Sequence, residues 1–148
     1  MIEPLVTQVK ARGVAKVLYP AGLLAPGVGF SVLQYWAHFA DQQSDAATRF
    51  MVACLQGVRD YHDTFFDRKG RDATMTRLTQ RLLVKDPKVW ELSAPTAIDQ
   101  NGRIDVADAR AHAELYKRQG RIDAEVPDLS PYVDSRFADA ATRQPGLR

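Results

Sequence analysis

The stretch Ser44–Phe66, SDAATRFMVACLQGVRDYHDTFF, carries the clearest periodic pattern in the chain. Ser44 is a favoured residue at a helix N-cap, and Asp45 complements the helix dipole in the first turn. Apolar side chains then recur every three or four positions, which places them on one stripe of a helix. They are Phe50, Cys54, Leu55, Val58, Tyr61 and Phe65. The pattern predicts an amphipathic helix that ends near Phe66.

Upstream of this helix the sequence predicts one short helix and two strands. Residues 5–12 suit a short amphipathic helix. Residues 14–19 are rich in β-branched and aromatic side chains, and residues 30–36 are almost continuously apolar, so both segments are typical of strands. A segment rich in Pro and Gly, residues 20–29, separates them and predicts a loop or a crossing between structural units.

Downstream, local signals mark four further helices. They are expected to start at Asp72, Asp86, Asp105 and Ser135. The whole order predicts an α/β fold class, mostly helical, with two or three strands. Because two or three strands do not make a stable sheet alone, the chain is expected to lack part of its fold.

Composition excludes several classes of protein. Lys and Arg number 20 and Asp and Glu 18, and the opposite charges are interspersed, so the chain offers no basic stripe and no nucleic-acid partner is expected. The single cysteine, Cys54, excludes an internal disulfide and a multi-cysteine metal site. No apolar stretch is long enough for a membrane span, and residues 1–4 lack the pattern of a signal peptide, so no export signal is expected in this chain.

Five motifs resemble one family. Ala47–Tyr61, ATRFMVACLQGVRDY, resembles the pattern A-x-x-F-M-x-A-Y-L-R-G-x-R-D-Y of the nitrate/sulfonate/taurine-type periplasmic substrate-binding proteins of ABC transporters. Cys54 stands where the family has Tyr, and Gln56 where it has Arg. The other four motifs follow in the same order as in the family. They are Leu83–Pro87, Asp99–Asp105, Tyr116–Gly120 and the closing Asp128–Ala141. Glu3-Pro4, near the start of the chain, is similar to the end of one of the family's strands.

The resemblance implies the C-terminal part of a two-lobed, type II periplasmic-binding-protein fold. Residues 1–19 would end lobe two, residues 20–34 would form an inter-lobe crossing, and residues 35–148 would be the helical C-terminal part of lobe one. The implied function is solute binding for an ABC importer of a small anion or organic acid, in the periplasm and with an inner-membrane ABC permease as partner. No cofactor is implied. Since all motifs belong to the C-terminal part, an incomplete or truncated receptor is expected.

Four residues are candidates for ligand binding. Glu3 would face the cleft between lobes, although its carboxylate also suits the dipole of the helix that follows. Gly27, Gly29 and Ser31 lie in the expected crossing, where glycines let a ligand approach the backbone closely or simply serve a hinge.

Neither a catalytic nor a metal site is predicted. His38, His62 and His112 lack the spacing of metal ligands, and Cys54 falls in an apolar stripe that indicates a buried structural thiol. Residues 99–108 match an EF-hand loop only in part and favour a capped turn. Two alternatives stay open. One is an enzyme similar to the pyrimidine synthase of thiamine biosynthesis, which shares the fold but needs a histidine and a metal. The other is a helical interaction module that self-associates through uncovered surface.

Overall fold

A computed structural model describes residues 1–24 and 31–147 of the chain. All regular secondary structure in this part is helical. The α-helices are α1 (Leu5–Ala11), α2 (Ala21–Leu24), α3 (Ala37–Gln42), α4 (Ser44–Phe65), α5 (Arg71–Arg81), α6 (Pro87–Leu92), α7 (Val106–Arg118) and α8 (Arg136–Thr142), with a 3₁₀ turn at Ser130–Tyr132.

The predicted α/β fold class is wrong for the described residues, which contain no strand. Residues 14–19 and 31–36, both expected to be strands, form neither helix nor strand. Their side chains are largely in solvent: Val14 is 75% exposed, Leu18 94% and Val32 65%. A β-branched segment becomes a strand only where a neighbouring strand accepts its backbone hydrogen bonds and packs on its face, and these segments have none.

The six helices that the sequence predicted are present as α1, α4, α5, α6, α7 and α8, with α5 starting at Arg71 and not at the predicted Asp72. Helix α4 begins at Ser44 and ends at Phe65. The side chain of Asp86 accepts a hydrogen bond from Lys88 N at the start of α6, and that of Asp105 caps α7. Helices α2 and α3 were not predicted. Helix α2 lies in the segment expected to be a loop, and α3 carries no capping side chain and continues directly from an apolar run.

The described chain divides into two compact units, of which the first contains residues 1–24 and 56–98. In this unit α6 packs against α1 and α5. Its core consists of Met75, Val84, Val89 and Trp90, with Phe65 and Leu78 packed against them. Burial of Trp90 leaves its indole N–H in need of an acceptor, and it donates to the carbonyl of Val84 at 2.9 Å.

The polar centre of the first unit is a pair of threonines. Thr64 is 1% exposed, and its Oγ1 lies 2.8 Å from Oγ1 of Thr74 and 3.3 Å from the carbonyl of Lys69. A hydroxyl both donates and accepts, so one side chain joins the last turn of α4 to the following loop and to α5.

The second unit contains residues 31–55 and 99–147. Its buried centre is Ala40, Ala47 and Phe137, with Tyr35, Phe39 and Met51 packed against it. Gly102 adopts φ +68, and a Cβ at this position would lie 3.0 Å from Leu55 Cδ2 and 3.4 Å from Ala138 Cβ. Glycine is therefore required here for two reasons, the left-handed backbone and the close approach.

Many large apolar side chains lie at the surface of the described residues. Leu83 is 99% exposed, Trp36 74% and Leu92 72%. None of the helices in the described part of the chain combines the length and the apolar content that a membrane crossing requires.

Candidate functional site

Tyr35 organises an aromatic cluster in the second unit. Residues 31–36 have no regular secondary structure and lead directly into α3, which begins at Ala37. The phenolic hydroxyl of Tyr35 donates to the carbonyl of Ala47 in α4 at 2.8 Å. This bond holds the segment before α3 against the first turns of α4.

Three phenylalanine rings surround the Tyr35 ring in edge-to-face geometry, which favours the aromatic quadrupoles. The ring centroids of Phe137, Phe39 and Phe50 lie 5.1, 5.5 and 6.1 Å from that of Tyr35. Phe137 is buried, whereas Phe50 is 49% exposed. The cluster is therefore closed on the side of α8 and faces solvent on the side of Phe50.

On the solvent side the surface forms an open depression of about 290 Å³. We call this surface the aromatic depression. Its lining is mostly apolar and consists of Leu33, Gln34, Tyr35, Trp36, Phe39 and Phe50. The rings of Trp36 and His38 lie 5.1 Å apart at its rim. A surface of this kind is typical of contacts with other apolar surfaces and offers few groups that would orient a small polar solute.

A phenol and a thiol in or beside the cluster have raised pKa values. Burial, and to a lesser extent the charge of Cys54, raises the pKa of the Tyr35 phenol above its usual value. Burial also raises the pKa of the Cys54 thiol. Because the thiolate is the reactive form, a raised pKa makes Cys54 a poor nucleophile, and the thiol acts as part of the packing.

The guanidinium of Arg136 lies beside the cluster and forms two ion pairs. Its Nη2 lies 2.8 Å from Asp41 Oδ1, its Nε lies 2.6 Å from Asp134 Oδ2, and the guanidinium stacks over the ring of Phe137 at 4.8 Å. The hydrogen bond to Asp41, followed by that to Asp134, raises the pKa of Arg136. Because its guanidinium already pairs with the carboxylates of Asp41 and Asp134, Arg136 stabilises the local structure and is not available to bind an anionic solute.

The predicted ligand-binding residues occupy different places. Glu3 belongs to the first unit, where its Oε2 accepts a hydrogen bond from Thr7 N at 3.1 Å in the first turn of α1. Ser31 belongs to the second unit and is exposed at the start of the segment that leads to Tyr35. Gly27 and Gly29 lie outside the described residues. The helix-dipole role considered for Glu3 is the one its hydrogen bond supports.

The three histidines have different neighbours. The ring of His38 lies tilted by 35° against that of Trp36, and Nδ1 of His112 lies 3.6 Å from Asp108 Oδ2 one turn earlier in α7. His62 lies beside Asp63 and Asp67, with its ring stacked on Phe66.

Sequence reasoning missed the aromatic depression, since it assigned residues 30–36 to a strand. Part of a usable signal was present, because Tyr35 and Trp36 precede Phe39 by the four and three positions that bring side chains together on a helix, whereas no spacing rule links Phe50 to them.

Comparisons with models of protein families, with curated proteins and with solved structures found no match to this chain. The resemblance to the nitrate/sulfonate/taurine-type receptors therefore remains a prediction from the motifs.

Proposed function

We propose that this chain is the helical part of the solute-binding component of an ABC importer for a small anion or organic acid of the nitrate, sulfonate or taurine type. One observation carries the proposal: three of the family-like motifs coincide with a helix or a helix boundary. Ala47–Tyr61 lies within α4, Asp86-Pro87 opens α6, and Tyr116–Gly120 closes α7. The proposal concerns these helices and needs no strand within the described residues.

The exposed apolar side chains support the second element of the proposal, that the helices pack on further receptor structure. Leu83, which lies two residues after the end of α5, is 99% exposed and so contributes no burial to the stability of the unit. Burying a leucine stabilises a protein by about 1.5–3 kcal/mol. Leu18, Leu23 and Leu92 are exposed in the same unit at 94, 68 and 72%. A complementary receptor portion, in this or another polypeptide, would cover such side chains and supply the rest of the solute cleft.

A hybrid receptor tests the proposal. The N-terminal portion of a taurine-binding receptor is joined to this chain, and its melting temperature is measured with taurine, alkanesulfonates and nitrate. A saturable rise with one of these solutes and none with arginine is expected, because a ligand that binds only the folded state raises its stability. A folded hybrid that responds to none of them, while the intact taurine receptor responds, contradicts the proposal.

A matched hybrid shows whether the response depends on the fold of this chain. Tyr35→Ala removes the hydroxyl that bonds Ala47 and the ring that three phenylalanines surround. We expect this hybrid to respond more weakly. Tyr132→Ala, which changes an aromatic that is 78% exposed, serves as the control and should respond as the unmodified hybrid does.

A second candidate function, a helical module that binds a second copy of itself, is favoured by the aromatic depression. Leu33, Trp36 and Phe50 are 50, 74 and 49% exposed on one surface. Light scattering over a range of concentrations should then show a dimer, which Trp36→Glu converts to a monomer and Tyr132→Glu leaves intact. A monomer at all concentrations excludes this function.

A further inference from the structure

His62, Asp63 and Asp67 come together at the C-terminal end of α4. One donor atom from each side chain lies within 4.8 Å of the donor atoms of the other two. The helix ends at Phe65, so His62 and Asp63 are in its last turn and Asp67 follows it. We infer that these three side chains form a site for a first-row divalent cation such as Zn²⁺.

The donor set suits this class of cation. One imidazole nitrogen and two carboxylate oxygens are ligands that Zn²⁺ and its neighbours accept, whereas Mg²⁺ and Ca²⁺ prefer oxygen alone. Zinc bonds of about 2.0–2.2 Å in a tetrahedron hold the ligand atoms roughly 3.4 Å apart. Donors already within 4.8 Å reach that distance by small side-chain rotations. Three protein ligands leave the fourth position for water.

The backbone fixes the position of Asp67 relative to the helix. The carbonyl of His62 accepts hydrogen bonds from Phe66 N at 2.9 Å and from Asp67 N at 3.4 Å, and the carbonyl of Asp63 accepts from Lys69 N at 2.8 Å. The His62 ring stacks on that of Phe66, with 4.7 Å between centroids and planes 19° apart. The turn and the imidazole are thus both held before any cation binds, which lowers the entropy lost on binding.

Charge at the site also favours a cation. Two carboxylates face the cluster, and the C-terminal end of a 22-residue helix adds the negative end of its dipole. The Lys69 ammonium opposes cation binding, since it lies 3.5 Å from Asp67 Oδ2, but its side chain is 70% exposed. An ammonium this exposed is free to turn into solvent when a divalent cation takes its place. A bound cation would then link the last turn of α4, through His62 and Asp63, to Asp67 in the loop that follows.

Calorimetric titration of zinc chloride into the full chain, free of any affinity tag, tests the site. We expect saturable binding of one Zn²⁺ per chain and no comparable binding of Mg²⁺. Asp67→Asn keeps the shape of the side chain, lies outside the helix, and should weaken binding by about tenfold or more. His62→Ala should do the same. His112→Ala, which changes a histidine that also has an aspartate neighbour, should bind as the unmodified chain does.

Lys69→Gln gives the sharpest result, because it should strengthen binding. Removing an exposed competing ammonium should raise the zinc affinity by roughly threefold, in line with the worth of an exposed ion pair. Absence of saturable binding overturns the inference, and so does unchanged affinity in Asp67→Asn or an equal loss in His112→Ala. Should His62→Ala fail to fold by circular dichroism, Asp67→Asn and Lys69→Gln decide the question.

Discussion

Thr64 and Thr74 share a hydrogen bond of 2.8 Å between their hydroxyl oxygens inside the first unit. Thr64→Val keeps the shape of the side chain but leaves the Thr74 hydroxyl and the Lys69 carbonyl without this partner. A buried polar group left unpaired costs about 1–3 kcal/mol. Urea denaturation should show a loss of that size.

The matched control for this change is Thr76→Val on the same helix as Thr74. The Thr76 hydroxyl donates to the Asp72 carbonyl at 2.8 Å, but it is exposed, so water replaces the lost partner. The free energy of unfolding should stay within about 0.5 kcal/mol of the unmodified chain. Equal losses in the two variants would show that burial of the threonine pair is unimportant.

Gly102→Ala should destabilise the chain more than Gly120→Ala. Both glycines have φ +68, so both replacements carry the cost of a left-handed alanine, about 1–2 kcal/mol. A Cβ at Gly120 meets no atom within 4 Å, whereas one at Gly102 lies 3.0 Å from Leu55 Cδ2. Overpacking should add about 1–3 kcal/mol at Gly102 alone. Equal midpoints of urea denaturation for the two variants would contradict this account.

Asp105→Ala should fray the start of α7. The Asp105 carboxylate accepts hydrogen bonds from Ala107 N at 2.9 Å and Asp108 N at 3.2 Å, two amides that the helix itself cannot satisfy. We expect a loss of about 1 kcal/mol and faster hydrogen exchange at both amides. Asp105→Asn keeps an acceptor oxygen and should retain most of the protection, so equally fast exchange in this variant would argue against the capping role.

Stability should fall on the alkaline side because burial raises the pKa of both the Cys54 thiol and the Tyr35 phenol. The folded chain then keeps protons that the unfolded chain releases. The resulting contribution to the free energy of unfolding is fully present below the pKa values of the unfolded chain, about 8.5 for Cys and 10 for Tyr. It is lost as the pH rises through the higher pKa values of the folded chain. Melting temperatures from about pH 7 to 10 should decline less steeply in Cys54→Ala. Parallel curves would show that the thiol plays no part.

The sequence predicted most helices because their determinants are local. Capping side chains at Asp86 and Asp105, and the apolar stripe of α4, lie within a few residues of the structure they specify. The prediction of strands at residues 14–19 and 31–36 was wrong, because a strand needs a neighbouring strand, and composition does not show whether one is present.

The aromatic depression and the proposed cation site could not be predicted from the sequence for a similar reason. The edge-to-face contact of Tyr35 with Phe137 joins residues about a hundred positions apart, and no spacing rule reaches that far. His62, Asp63 and Asp67 are close in sequence, but their spacing matches none of the common metal-ligand motifs, and Asp67 follows the end of α4.

The segments that make up each unit have a consequence for biosynthesis. The first unit needs residues 1–24 as well as 56–98, and the second needs residues 31–55 as well as 99–147. At a translation rate of about 5–20 residues per second, the N-terminal segment waits several seconds on the ribosome for its partners. During that interval α1 has no α6 to pack against, so Val6 and Val9, which are half-buried in the folded unit, are open to chaperones, and the yield of folded protein should depend on the speed of elongation.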